Sequence, residues 1–288
     1  MVESGYSDIM KRRLIVNADD LGISVSRTHG IFAAYEQGIV TSTTVLPNGS
    51  DAARAAKHAR EKKIPTGLHI VLTEGEPLSP HASIASLAED NGAFFDRFTL
   101  RRKLSAGDID AVHLERELRA QLEWAFDHCG EVTHVDSHHH VHIHEAVVAV
   151  LVPMLQRYGL RWVRIPEEPL PPYGFVIDDE QLERSRVIAE QAAAARRAYT
   201  AEGIASTDAF RGLALVGNAS QKNLRHILGR LPDGVTELMV HPGSVASSGT
   251  PFDLDPQRQT ELQMLTDASL AASLQERAIT LTSYRSLE

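Results

Sequence analysis

The chain has 288 residues, 43% hydrophobic and 23% charged, the composition of an ordinary globular protein. That length suffices for one large domain or two small ones, and a net charge of −9 argues against nucleic acid or an anionic membrane as the main partner. One cysteine, Cys129, excludes an intrachain disulfide and fits a reducing compartment. Residues 1–13 lack the apolar core of a signal peptide, and residues 1–11 read as an N-terminal extension. The longest apolar run, Ala146 to Leu155, is too short for a membrane span and contains Pro153. A cytoplasmic, soluble protein is expected.

In chain order, short β-rich runs alternate with helical patterns. Strands are predicted at Arg13–Ala18, Thr41–Leu46, Thr66–Leu72, Val132–Ser137, Arg161–Ile165, Ala209–Val216, Glu237–His241 and Ile279–Ser283. Helices are predicted between them, at Ser26–Gln37, Ser50–Lys62, Asp110–His128, Gln181–Ala201, Gln221–Leu228 and Gln257–Arg277. Ser50, and Asn218 or Ser220, supply helix start signals. Gly75 to Phe98 is irregular and reads as a long loop over one end of the sheet. Eight strands with helices between them predict an all-parallel α/β fold, a single domain over residues 1–288. A TIM-like (β/α) barrel, closed or distorted, fits the length, with a doubly wound open sheet as the alternative. The dinucleotide fingerprint GxGxxG and the phosphate-binding P-loop are both absent after the first strand.

In such a barrel the chemistry gathers at the C-terminal ends of the strands. The first strand exits through "NADD", with Asp19 and Asp20; the third carries His69 in "TGLHIVLT". The fourth runs out through "THVDSHHHVHIH", which delivers Asp136 and His138, and the seventh ends in "MVHPG" with His241. Each has an ordinary explanation alone: Asp19 or Asp20 as a helix cap, His69 as a core imidazole, His241 as a turn residue, the His run as a metal-sticky loop. Four strands aiming Asp or His at one rim is harder to ascribe to chance. Two imidazoles and a carboxylate form a facial set that binds a divalent ion and leaves positions open for water and substrate. If the run stays extended, Asp136, His138, His140, His142 and His144 share one face. They cannot all reach one ion, so some must orient the ligands or contact substrate.

"IVNADDLG", "GIVTSTTVLPNG", "GLHIVLT", "THVDSHHHVH" and "HPG", in that order, resemble the landmark motifs of the YdjC-like carbohydrate deacetylases. The likeness runs from about Arg13 to the last strand. It implies a (β/α) barrel, one divalent metal ion and hydrolysis of an N-acetyl group on a small amino-sugar or oligosaccharide. Members include enzymes of chitooligosaccharides and others linked to hopanoid side chains, and homodimers occur. Carried over motif by motif, the metal ligands are Asp20, His69 and His138, Asp19 is the catalytic base, and His241 is the acid or a positioning group. Asp136, His140, His142 and Arg164 are left to orient ligands or meet substrate. Leu21 stands where the family usually has Phe, and the stretches Glu74–Phe98 and Glu167–Gly174 do not match the chitooligosaccharide members. These departures bear on substrate identity.

A bound dication would polarise the amide carbonyl and acidify a water, Asp19 would take that water's proton, and His241, His140 or His142 would protonate the leaving amine. Two imidazoles favour zinc, manganese or iron over magnesium, with cobalt also admitted, whereas the family has been associated with magnesium. Rival readings are a metal-dependent phosphoesterase or general amidohydrolase, supported by Asp136 and by Arg164 at the end of strand five, and a non-enzymatic metal buffer. Trp162 and Tyr173 flank that strand end as candidates to stack on a sugar, Trp162 more naturally a core residue.

Overall fold

A computed structural model describes residues 12–168, 177–245 and 250–287. Its centre is a curled, wholly parallel sheet of seven strands: β1 (Arg12–Leu21), β2 (Ser42–Val45), β3 (Thr66–Ile70), β4 (Val135–Ser137), β5 (Ala209–Arg211), β6 (Gly234–Val240) and β7 (Ile279–Leu281). The ladder order is β4-β3-β2-β1-β6-β5. β6 pairs along β1 from Arg12 to Ala18. β7 meets β1 at Arg12–Leu14 and β2 meets it from Asn17 onward, so those two strands share the remaining edge.

Helices separate the strands: α1 (Val25–Gln37), α2 (Ala52–Glu61), α3 (Arg97–Ala106), α4 (Ala111–Cys129), α5 (Glu145–Tyr158), α6 (Asp179–Ala201), α7 (Gln221–Leu228), α8 (Pro251–Leu254), α9 (Gln257–Leu265) and α10 (Ser269–Glu276). Two large apolar clusters lie between helices and sheet, one centred on β3, β4, α4 and α5, the other on β1, β6, α1 and α2. The continuous burial of β1, from Leu14 through Leu21, is that of a parallel strand covered on both faces.

The structure departs from the expected eight-stranded barrel. Arg161–Ile165 forms no ladder; two single bridges, Val135 to Val163 and Trp162 to Ala205, carry the pairing from β4 toward the 205–211 segment. The predicted strand Ala209–Val216 stops at Arg211, because Gly212 turns the chain into a 3-10 turn at Leu213–Leu215. The predicted helix Gln257–Arg277 is two helices, broken where Asp267 accepts a hydrogen bond from the Ser269 amide. Within the predicted loop Gly75–Phe98, short 3-10 turns occupy His81–Ser83 and Ala85–Leu87, and α3 begins at Arg97, capped by Asp96. Of the predicted start signals, Ser220 caps α7, whereas Ser50 does not cap α2.

No helix among the described residues is long and apolar enough to cross a membrane. Trp162 packs with Tyr284 (ring centroids 6.1 Å apart) beside Ile15 and Val235, the core role expected for it. Tyr173 lies outside the described residues.

Candidate active site

The strand β1 delivers both acids of "NADD" because it breaks between them and the helix. Asp20 adopts a left-handed backbone (φ +66°) and Gly22 another (φ +89°). Side chains of an unbroken strand alternate, so without that break Asp19 and Asp20 would face opposite sides. A Cβ on Gly22 would lie 2.6 Å from the Cα of Ala52, so the turn also presses against the start of α2. Neither acid caps α1; Ser24 does, accepting from the Arg27 amide.

Asp20 Oδ1 lies 3.3 Å from His69 Nε2 and 3.1 Å from His138 Nδ1. One ligand atom from each of the three residues lies within 4.8 Å of the others, all on buried residues. Arg27 holds the second oxygen, Oδ2, at 3.1 Å, and itself reaches Asp253. Despite a desolvation that opposes ionisation, His138, His69 and Arg27 hold the Asp20 carboxyl well below the usual range. Burial disfavours a charged His69, yet Asp136, Asp20 and Asp19 outweigh it and push the imidazole up to about 10. A point where one carboxylate and two imidazole nitrogens meet in a field that favours positive charge fits a dication.

Behind His69, Nδ1 lies 2.7 Å from Asp136 Oδ1. The other oxygen of Asp136 accepts from Thr44 Oγ1 at 3.1 Å and pairs with Arg164 at 2.8 Å. Arg164 is fully buried and bidentate on Asp19, at 2.5 and 2.7 Å, and it also holds Glu237, which accepts from Tyr284 Oη at 2.6 Å. Asp19 takes a further hydrogen bond from Asn17 Nδ2 at 2.8 Å. Burial raises the Asp19 carboxyl, and Arg164 opposes that rise. Nε2 of His241 is 3.9 Å from Asp19 Oδ2, and its backbone amide donates to Glu261. Burial, with Arg258 and Arg27 nearby, holds the His241 ring neutral, well below its usual range.

The His run does not stay extended. His139 and His140 have φ of +54° and +56°, so the shared face expected for His138, His140, His142 and His144 does not exist. The chain leaves β4 in a tight turn that keeps the rings of His138 and His139 together, centroids 4.0 Å apart, and sends those of His140, His142 and His144 elsewhere. His142 is buried between Ser137 Oγ and the Arg164 carbonyl, 2.8 Å from Nε2, and cannot also protonate a leaving group. His144 caps α5, accepting from the Ala146 amide. His140 sits edge-on to Phe210, and its Nδ1 has no hydrogen-bond partner among the described residues. His134, also in the run, stacks on Tyr284 at 3.8 Å. His140, His142 and His144 are thus spread apart rather than gathered on one ion, while His138 and His139 lie together beside Glu74. A cavity of about 1140 Å³ between α6 and the 203–209 segment is lined by Glu168, Arg196, Asp208 and Arg211 and contains none of the site's Asp and His residues.

Residues 13–276 match the YdjC-like protein family. The chain belongs to the YdjC-like family. Over 96% of its length this YdjC-like chain is 35% identical to a mouse carbohydrate deacetylase and 34% identical to one from Geobacillus stearothermophilus, covering 95% and 98% of those proteins. It is 31% identical to the chitooligosaccharide deacetylase of Serratia marcescens, covering 96% of this chain and all of that one. A crystal structure from Enterococcus faecalis V583, provisionally named a cellobiose-phosphate cleavage protein, shares the fold at a TM-score of 0.76. It is 24% identical and covers 96% of this chain and 99% of its own.

Sequence reasoning missed several residues that hold this YdjC-like site. Asn17 was legible, since strand alternation puts it on the same side as Asp19. Thr44 in β2 carries the same signal. Arg27, Glu74, Glu237 and Tyr284 carried none, because nothing local marks a surface-type residue that the tertiary fold buries or turns inward.

Proposed function

We propose that the protein is a divalent-metal-dependent carbohydrate deacetylase that hydrolyses the N-acetyl group of a small amino-sugar or oligosaccharide. The observation that carries this reading is the meeting of Asp20, His69 and His138 beside an Arg164-braced Asp19. The names of the relatives, carbohydrate and chitooligosaccharide deacetylases, support the substrate class.

In this reading Asp20, His69 and His138 hold the ion, which when bound supplies the charge that polarises an acetyl carbonyl and acidifies water. Arg164 fixes both oxygens of Asp19, so the carboxylate meets the attacking water in one orientation. Burial raises its proton affinity, which suits a general base. The proton it gathers sits on Oδ2, the oxygen nearer His241 Nε2, and that ring faces the departing nitrogen as a proton carrier or positioning group. A neutral resting imidazole takes that proton without first losing another.

The phosphoesterase reading finds less support. It leaned on Arg164 as a rim cation and Asp136 as a ligand for a second metal, whereas Arg164 is buried among Asp19, Asp136 and Glu237 and Asp136 is engaged by His69, Thr44 and Arg164. The deciding experiment is acetate release from a panel of N-acetylated mono- and oligosaccharides after chelation and add-back of zinc, magnesium, manganese, iron or cobalt. Turnover of at least one N-acetylglucosamine derivative is expected. Rapid hydrolysis of phosphate esters without acetate release from any sugar would hand the site to the rival.

A further inference from the structure

The two imidazoles at the Asp20 point are not equally explained. His69 presents Nε2 to Asp20 while Asp136 secures its other nitrogen at 2.7 Å. His138 is turned the other way, with Nδ1 toward Asp20, and its Nε2 faces Glu74, whose Oε2 lies 3.7 Å away. Glu74 Oε1 also lies 4.0 Å from His139 Nε2, while His139 Nδ1 is held at 2.9 Å by Thr73 Oγ1.

Glu74 is held there against its own backbone preference. Its φ is +66°, a conformation disfavoured for any residue with a Cβ, and Gly75 follows at +75°. A Cβ on Gly75 would come within 2.8 Å of Asn48 Nδ2, which donates to the Glu74 and Glu76 carbonyls at 3.2 and 3.1 Å. From the far limb of the same loop, the Phe94 amide donates to the Gly75 carbonyl and the Glu74 amide to that of Phe95. Backbone strain clamped from two sides, with a half-exposed carboxylate aimed at a candidate ligand, calls for a functional account.

An imidazole that ligates a metal through one nitrogen is oriented by an acceptor at the other, and losing that acceptor costs about 10–100-fold in metal affinity. We infer that Glu74 is a positioning residue for the metal centre: its carboxylate, 3.7 Å from Nε2 of His138, is the charged partner that keeps Nδ1 turned to the ion, and Asn48 holds the Glu74 backbone. Asp136 and Glu74 are then paired supports for His69 and His138. The Asn48 of "LPNG" acquires a role, as does the loop after β3 that departs from the chitooligosaccharide members. The inference rests on Asp20, His69 and His138 being the ligands.

The test is titration of the metal-free protein with zinc against a chromophoric chelator, with melting of the metal-free form followed alongside. Glu74→Ala and Glu74→Gly are expected to lose about 10–100-fold in zinc affinity with little change in metal-free melting. Glycine is the sharper variant, because it accepts φ +66° freely and removes only the carboxylate. Glu74→Gln, which keeps an acceptor oxygen, is expected to recover part of the loss. Zinc affinity within about threefold of the parent in both the Ala and Gly variants overturns the inference. So does a raised KM with unchanged zinc affinity, which would make Glu74 a substrate contact. Two ions in the parent falling to one in Glu74→Ala would make Glu74 a ligand of a second site and overturn it too. Failure of the underlying reading looks different: the parent itself would bind no stoichiometric ion.

Discussion

The two halves of the run from His138 to His144 are both rich in histidine and share almost nothing else. In the first half, His138 brings a nitrogen within 3.1 Å of Asp20 Oδ1, and its ring is bounded by acids. In the second, His142 and His144 spend their nitrogens on Ser137, the Arg164 carbonyl and the first turn of α5. The dividing point is the pair of left-handed residues His139 and His140. An imidazole's role is set by where the backbone carries it and what satisfies its two nitrogens, not by the number of its neighbours.

Breaking the first half should have the largest effect. His138→Ala, like His69→Ala at the ligand supplied by β3, removes one of three donors, so bound metal and acetate release should both collapse, read by elemental analysis and turnover. Full metal occupancy in His138→Ala would remove the site from this end of the run, and in both variants would remove it altogether. The second half should respond in stability instead. His142→Ala leaves the buried Arg164 carbonyl without its donor, while the residue-142 amide still donates to Ser137 Oγ, and should cost about 1–3 kcal/mol in denaturant unfolding, with the metal retained.

Acid sharpens the same contrast. Burial pulls His134 and His142 down from 6.5 to about 3 and about 4, so the folded state keeps both neutral while the unfolded chain takes up protons as pH falls below 6.5. Their stabilising contribution is therefore present above 6.5 and is lost as pH falls toward those folded values. Each group should remove about 1.4 kcal/mol per pH unit once below 6.5. Chemical denaturation at a series of pH values should show that slope, lessened by one proton in His134→Gln. The smallest effect belongs to the end of the run: His144→Ala removes a helix cap and should cost about 1 kcal/mol, with metal content and turnover those of the parent.

What the sequence made legible follows the same division. The strand-end residues Asp19, Asp20, His69, Asp136, His138 and His241 were found from position alone, because parallel strands fix which end carries chemistry. Extending the alternation past His138 failed, since nothing in a His-His pair announces a left-handed turn, which costs a non-glycine residue roughly 1–2 kcal/mol and is imposed by tertiary contacts. Arg101 from α3 donates to the His139 carbonyl, and Thr73 holds the ring. The fifth strand failed for a related reason: Arg161–Ile165 has β-prone residues, but its neighbours offer only single bridges. Arg164 at its end was noticed as a cation; that it would be buried among three carboxylates depended on β1, β4 and β6 converging, which no local pattern encodes. The break in the C-terminal helix was readable in retrospect from Asp267, a helix-start residue in the middle of the span.

The central claim is the separation of roles between adjacent acids, Asp20 holding the ion and Asp19 the proton, and the most direct test measures bound metal and turnover together in Asp19→Asn and Asp20→Asn. Asp19→Asn keeps the shape and loses the proton acceptor, so the account predicts retained metal with turnover down by about 10²–10⁴-fold. Asp20→Asn offers an amide oxygen where His69 and His138 need a carboxylate beside them, so metal affinity should fall with activity. Loss of the ion from Asp19→Asn with retention in Asp20→Asn would contradict the account and reverse the two roles.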